Sequence, residues 1–185
     1  MLSEQECARL IDTAWQSIRN GLQRGRPLPV TLEEYSEALR DPGASFVTLH
    51  ARNQLRGCIG SLEAHRPLIE DVSYNAFAAA FRDPRFAPLE AHEMDGLELE
   101  ISVLSKPEPM EFVSEQDLIR QLRPGRDGLI LQEGGNRGTF LPSVWESLPE
   151  PRLFLQHLKQ KAGLPPDYWS DTLRVWRYGT TSFSG

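Results

Sequence analysis

Apolar positions in the first two dozen residues recur at helical spacing. Cys7, Leu10, Ile11, Ala14, Trp15, Ile18 and Leu22 form one stripe of an otherwise polar segment. Ser3 with Glu6 reads as a capping box, and Leu2 is placed to act as its hydrophobic staple. Cys7 lies on the stripe and reads as a core residue, since a free cysteine packs as a small hydrophobe. "GRPLPV" at 25–30 breaks the chain, and a shorter helix is expected over about Leu32–Leu39, stopping at "DPG". In "SFVTLHARNQLRGCIG", two apolar runs, Phe46–Leu49 and Leu55–Ile59, flank a polar "ARNQ", the pattern of a β-hairpin. Pro67 suits the first turn of a helix, in which Leu68, Val72, Ala76 and Ala79 keep helical spacing alongside Ile69, Phe77 and Phe81. The alanines predict close packing against a sheet. "DPRF" at 83–86 ends this helix, because Pro84 disfavours helix at Asp83. In "LELEISVLS", Leu97, Leu99, Ile101 and Val103 alternate with Glu98, Glu100 and Ser102, as in a half-buried strand.

The second half repeats the mixture. Ser114 caps a helix through Leu122, and "RPGRDG" closes it. "LILQ", "GGNRG" and "TFLP" predict a hairpin with a glycine-rich tip. A helix over Pro151–Ala162 ends on Gly163, "LPPDYW" reads as loop, and "TLRVWRYG" reads as the final strand. Helices and antiparallel hairpins without βαβ regularity place the chain in the α+β class, as a single domain over residues 1–185.

The chemistry concentrates in "LRGCIG" at 55–60. Side chains alternate along a strand, so Arg56, Cys58 and Gly60 are expected on one face, and Leu55, Gly57 and Ile59 on the other. A guanidinium beside a thiol favours the thiolate, the nucleophilic form. A glycine in a strand marks close approach by a ligand or by another backbone. Gly57 and Gly60 are therefore candidates for leaving room beside Cys58; equally, they relieve crowding against the Ala-rich helix. Arg85 in "DPRF" is positioned to bind an anionic group bidentately, or to cap the preceding helix. If the 97–105 strand lies beside the 55–60 strand, Glu100 faces Cys58 and Arg56 as a base; otherwise it lies on a solvated face. "GGNRG" lacks the lysine, hydroxyl and following helix of a phosphate loop and reads as a hairpin tip. His157 reads as packed among Phe154 and Leu158.

Composition narrows the choices. A formal charge of −6 with no run of five like charges disfavours a nucleic-acid partner. No apolar stretch approaches the ~20 residues of a bilayer span, and the N-terminus has no signal-peptide pattern, so no membrane role is expected. Two cysteines make neither a disulfide scaffold nor an iron–sulfur site, and a reducing cytoplasm is the default location. His50, His65, His92 and His157 fall in no metal-ligand spacing, so no metal or other cofactor is expected within the chain.

The motifs resemble those of the AMME-chromosomal-region (AMMECR) family, whose prokaryotic members are called AmmeMemoRadiSam system protein A. The blocks run in order: "FVTL" at 46–49, "LRGCIG" at 55–60, "PL" at 67–68, "NAFAAAFRDPRFAPLE" at 75–90, "LELEISVLS" at 97–105, "PGRDGLIL" at 124–131, "GTFLPSVWE" at 138–146 and "KAGL" at 161–164. Two positions depart from the family pattern: the hairpin tip "HARNQ" lacks a glycine, and Ser143 stands where glutamine is usual. The resemblance implies a larger subdomain holding both termini, a smaller subdomain, and a cleft between them. It also implies association with a Memo-type protein and a radical S-adenosylmethionine enzyme, which would supply metal and cluster. Two readings follow. In the first, the protein is an enzyme or its substrate-handling subunit, with Cys58 as nucleophile or substrate-holding thiol, Arg56 activating it, Glu100 as base, and Arg85, Gly57 and Gly60 on the substrate. In the second, it is a non-catalytic protein that binds a small molecule or peptide, or acts as a scaffold.

Overall fold

The computed structural model describes all residues from Met1 to Gly185. The chain forms two units, Met1–Leu104 with Thr181–Gly185, and Ser105–Thr180. Both mix helices with an antiparallel sheet, so the class is α+β.

The first unit opens with α1, Glu4–Arg24. Its capping box forms as expected: Ser3 Oγ accepts from the Glu6 backbone, and the Glu6 carboxylate accepts from the Ser3 backbone. Gly25 ends it at φ 69°. Leu10, Ala14 and Ile18 are fully buried, whereas Cys7 is only half-buried, and burial raises its thiol pKa. The expected second helix divides into a 3-10 turn, Leu32–Glu34, and the short α2, Glu37–Arg40. The interruption lies at Tyr35 and Ser36, both extended; the Ser36 hydroxyl donates to the Glu6 carboxylate, and the Tyr35 ring sits under Arg9.

β1 (Ser45–Ala51) and β2 (Gln54–Gly60) form the predicted hairpin. Its two-residue turn has positive φ at both Arg52 (52°) and Asn53 (61°), the signature of a type I′ turn. β3 (Leu97–Leu104) pairs with β1, and β8 (Thr180–Ser184) completes the sheet in the order β2-β1-β3-β8. β8 corrects the reading of 172–179 as the last strand. "TTSFS" has one large apolar residue, Phe183, and shows little alternation because the strand lies at the sheet edge.

α3 (Leu68–Phe81) and α1 pack on one sheet face, where Val47, Leu49, Leu99 and Ile101 meet Ile69, Val72, Ala76 and Ala79. Asp71 is fully buried within α3. Its carboxylate accepts from the Ser45 amide (2.9 Å) and hydroxyl (2.7 Å), the Ser61 hydroxyl (2.6 Å) and the Asn75 amide (3.0 Å). One helix is thereby tied to the start of β1 and the end of β2, with the carboxylate's oxygens satisfied.

The second unit holds β4 (Glu108–Pro109), α4 (Glu115–Gln121), β5 (Gly128–Glu133), β6 (Asn136–Phe140), α5 (Pro151–Lys161) and β7 (Arg174–Tyr178), with sheet order β4-β7-β5-β6. Ser114 caps α4, Gly163 follows α5 at φ 86°, and the β5–β6 hairpin turns at Gly134, φ 55°. Phe154 is the centre of a core in which Trp145 stacks on it at 3.8 Å and Phe140 meets it edge-on at 5.3 Å. His157 is exposed, contrary to the packed position expected. Lys159, two residues on, is the buried one; its ammonium donates to Glu115 at 2.7 Å. The stripe through Phe154, Leu155 and Leu158 takes in Lys159, leaving His157 on the outer face.

Candidate functional site

Register across three strands positions the thiol. Cys58 on β2 lies opposite Thr48 on β1, and Thr48 lies opposite Glu100 on β3. The three form a row on the sheet face turned away from α1 and α3, and each is half-buried. Thr48 Oγ1 and Cys58 Sγ are 3.2 Å apart and share a hydrogen bond. β1 lies between the strands carrying Cys58 and Glu100, so the two are not cross-strand neighbours. Two strand spacings separate their backbones by roughly 10 Å. Thr48 takes the place beside the thiol that an adjacent β3 would have given to Glu100.

The outer edge of β2 is closed by side chains of "DPRF". Asp83 accepts from the Cys58 amide at 2.9 Å, and Arg85 donates to the Cys58 carbonyl at 3.4 Å. The two clamp residues hold each other: Arg85 Nη2 and Nε donate to the Asp83 carboxylate at 2.7 and 3.0 Å, and the Arg85 amide adds a third bond at 3.0 Å. Asp83 is buried although charged, and the Arg85 guanidinium, with the Cys58 and Arg85 amides, holds its carboxyl well below the usual range. Arg85 is raised in turn, chiefly by its bonds to Asp83, with a smaller contribution from the field of Cys58. Because the outward amide and carbonyl of Cys58 belong to the clamp, Thr48 and Cys58 form the closer, non-hydrogen-bonded kind of antiparallel pair, which brings their side chains together.

Arg56 does not join this group. The β1–β2 register shifts between Leu49 and His50, which leaves Arg56 as the extra residue of a β-bulge. Simple alternation, which put it beside Cys58, fails there. Its Nε and Nη2 donate to the Glu93 carboxylate at 2.8 and 3.1 Å, and Nη2 also donates to the Ala87 carbonyl at 2.9 Å. That ion pair draws Glu93 down to about 2, and the Glu90 amide assists. The expected activation of Cys58 by Arg56 is not what this geometry provides; Arg85 is the cation at the Cys58 backbone.

The two glycines serve packing. A Cβ on Gly57 would overlap the carbonyl oxygen of Ala79 on α3, and one on Gly60 would overlap the ring of Phe46, its cross-strand partner. The space expected beside Gly60 is occupied by that ring, and Gly57 is turned toward α3, so neither offers room for a ligand. Thr48, Asp83 and Glu93 were not singled out by sequence reasoning. The signal for Asp83 was present, since an acid immediately before Pro-Arg at a helix end suits a side-chain clamp as well as a stop.

No three His, Cys, Asp or Glu side chains converge in a way that could hold a metal ion, and no helix is long and apolar enough to cross a membrane.

Comparison with known proteins agrees with the motif order. The AMMECR1 family profile matches residues 11–183. A protein of Thermofilum pendens is 36% identical, covering 98% of this chain and 91% of the relative. One from Methanothermobacter thermautotrophicus is 37% identical over 98% and 95%. The crystal structure of an uncharacterized protein from Pyrococcus horikoshii superposes with a TM-score of 0.79 at 35% identity, covering 95% of this chain and 89% of that one. A profile spanning nearly the whole chain, with relatives of this identity and coverage, makes the protein a member of the AMMECR1 family.

Proposed function

We propose that the protein is an enzyme, or the substrate-handling subunit of one, in which Cys58 holds or receives the substrate. The observation that supports this reading is the row Cys58–Thr48–Glu100 on the sheet face opposite α1 and α3, with the Cys58 backbone fixed by Asp83 and Arg85. A thiol held on a clamped strand keeps one position, which covalent or near-covalent work requires. Asp83 balances much of the charge of Arg85, whose contact with Cys58 is to the backbone carbonyl, so Arg85 positions the strand that carries the thiol. Thr48 passes or accepts a proton at sulfur. Glu100 acts as base or orienting carboxylate on a substrate that lies across Thr48, since it does not reach the sulfur. Arg85, half-exposed beyond its pair with Asp83, meets an acidic group of the substrate. A reducing cytoplasm suits two unpaired cysteines, and a Memo-type protein with a radical S-adenosylmethionine enzyme are the partners proposed to supply redox chemistry.

The test uses a Cys7→Ser background, so that Cys58 is the one thiol read. Iodoacetamide is expected to label Cys58 in the native protein, and Thr48→Val to change the rate. Labelling seen only after unfolding would overturn the reading. Reconstitution with the two partner proteins separates enzyme from scaffold: Cys58→Ser is expected to abolish turnover while leaving partner capture intact. Full turnover by Cys58→Ser, with loss in Arg85→Ala, would favour a binding role instead.

A further inference from the structure

Phe46 shares the sheet face of Cys58 and Thr48. Val47 and Leu49 are buried in the core with the helices, which turns Phe46 and Thr48 to the other side of β1. A phenylalanine so placed would ordinarily enter a core, yet neither hydrophobic core takes Phe46 in. Its ring lies instead on Gly60, its cross-strand partner: a Cβ on Gly60 would overlap Cγ and both Cδ carbons of the ring. One side of the ring thereby shields the bare backbone of β2. Its neighbours along β1 and across from it, Thr48, Gly60 and Ser102, are all small, so the ring stands above them. Phe46 is half-buried, and part of its surface stays open. Cys58 is the next residue of β2 on this face, roughly 7 Å from Gly60 at ~3.3 Å per residue. The thiol therefore has an aromatic wall about one small group away.

We infer that Phe46 is a specificity-determining residue of the Cys58 site, receiving a flat aromatic group of the substrate beside the atom that meets sulfur. Gly60 makes this possible, because a side chain there would push the ring off the strand. Two aromatic groups at this spacing attract beyond the area they bury, in offset or edge-to-face arrangements. The inference rests on the reading of Cys58 as the substrate-holding thiol and adds the chemical class of the group beside it.

The test compares rates of Cys58 alkylation by iodoacetamide and by N-benzyliodoacetamide, using the full chain in the Cys7→Ser background. The same two rates for glutathione give the intrinsic ratio of the probes. Cys58 is expected to favour the benzyl probe about fivefold over that ratio, the size of effect an aromatic pair supplies. Phe46→Leu keeps an apolar side chain without the ring and should remove more than half of the preference, whereas Phe46→Tyr should keep it. Gly60→Ala retains the ring but displaces it, and should also lower the preference. Reaction of both probes at the glutathione ratio, or an unchanged preference in Phe46→Leu, overturns the role of Phe46 and leaves the Cys58 reading standing. Reaction of neither probe with the native protein overturns both.

Discussion

Gly57 shows how little tolerance the thiol strand has. Its missing side chain lets β2 run against the Ala79 carbonyl, and backbone, unlike a flexible side chain, does not step aside. Gly57→Ala is therefore expected to destabilise the protein by about 3 kcal/mol, as overpacking against a fixed neighbour does. Gly96→Ala is the control: a Cβ there meets nothing within 4 Å, so its effect should stay within about 0.5 kcal/mol. Urea melts of the two variants check the contrast, and equal effects would show that α3 yields. The glycines around Cys58 thus keep the strand against the helix and against Phe46, and the thiol owes its place to what the glycines allow the backbone to do.

At the scale of elements, the edge strand β2 is closed by a loop. Asp83 and Arg85 give Cys58 the acceptor and donor that another strand would otherwise provide, which blunts an exposed edge. The clamp carries a pH signature. Asp83 is held below its unfolded value and Glu93 is drawn to about 2, so the folded state resists protonation that the unfolded chain accepts near pH 4. Their contribution is complete above about pH 4 and is lost as pH falls through the folded values. Asp83→Asn should cost about 1–2 kcal/mol at pH 7, since a neutral amide replaces a carboxylate holding charged bonds. It should also flatten the fall in urea midpoint between about pH 4 and 2. An unchanged acid slope would show that the clamp is not the acid-sensitive element. The elements themselves were largely legible: the Ser3 cap, the β1–β2 hairpin, the alternation of β3 and the Gly163 stop each rest on local chemistry. The site was less so. Alternation places Arg56 beside Cys58 only if the strand is regular, and the bulge that turns it toward Glu93 is marked in "LRGCIG" by Gly57 alone, a residue that close packing explains equally well. Strand order is a non-local property, so periodicity could not show that β1, with Thr48, stands between Cys58 and Glu100.

Across the whole molecule, each unit carries a core of its own. One is built on Ile18, Val47, Val72 and Ile101, the other on Leu131, Trp145, Phe154 and Leu158. The candidate row is made by residues of the first unit. An aromatic stack lies in the second core: Phe154 is fully buried with Trp145 against its face and Phe140 against its edge. Phe154→Ala removes the centre of that stack. A cost of about 3–5 kcal/mol follows from the lost transfer energy together with the cavity left behind. Because the cavity opens in one core, amide exchange should rise first in β5, β7 and α5, while β1 and β3 keep their protection. Trp145 reports the same event optically: its indole donates to the Asp127 carbonyl at 2.8 Å, and loosening of the stack should shift its emission to the red. Hydrogen exchange read by mass spectrometry decides the matter. Protection lost equally in β1, β3, β5 and β7 would mean that the two cores open as one cooperative block; loss confined to the second unit would leave the Cys58 row formed in a partly opened molecule.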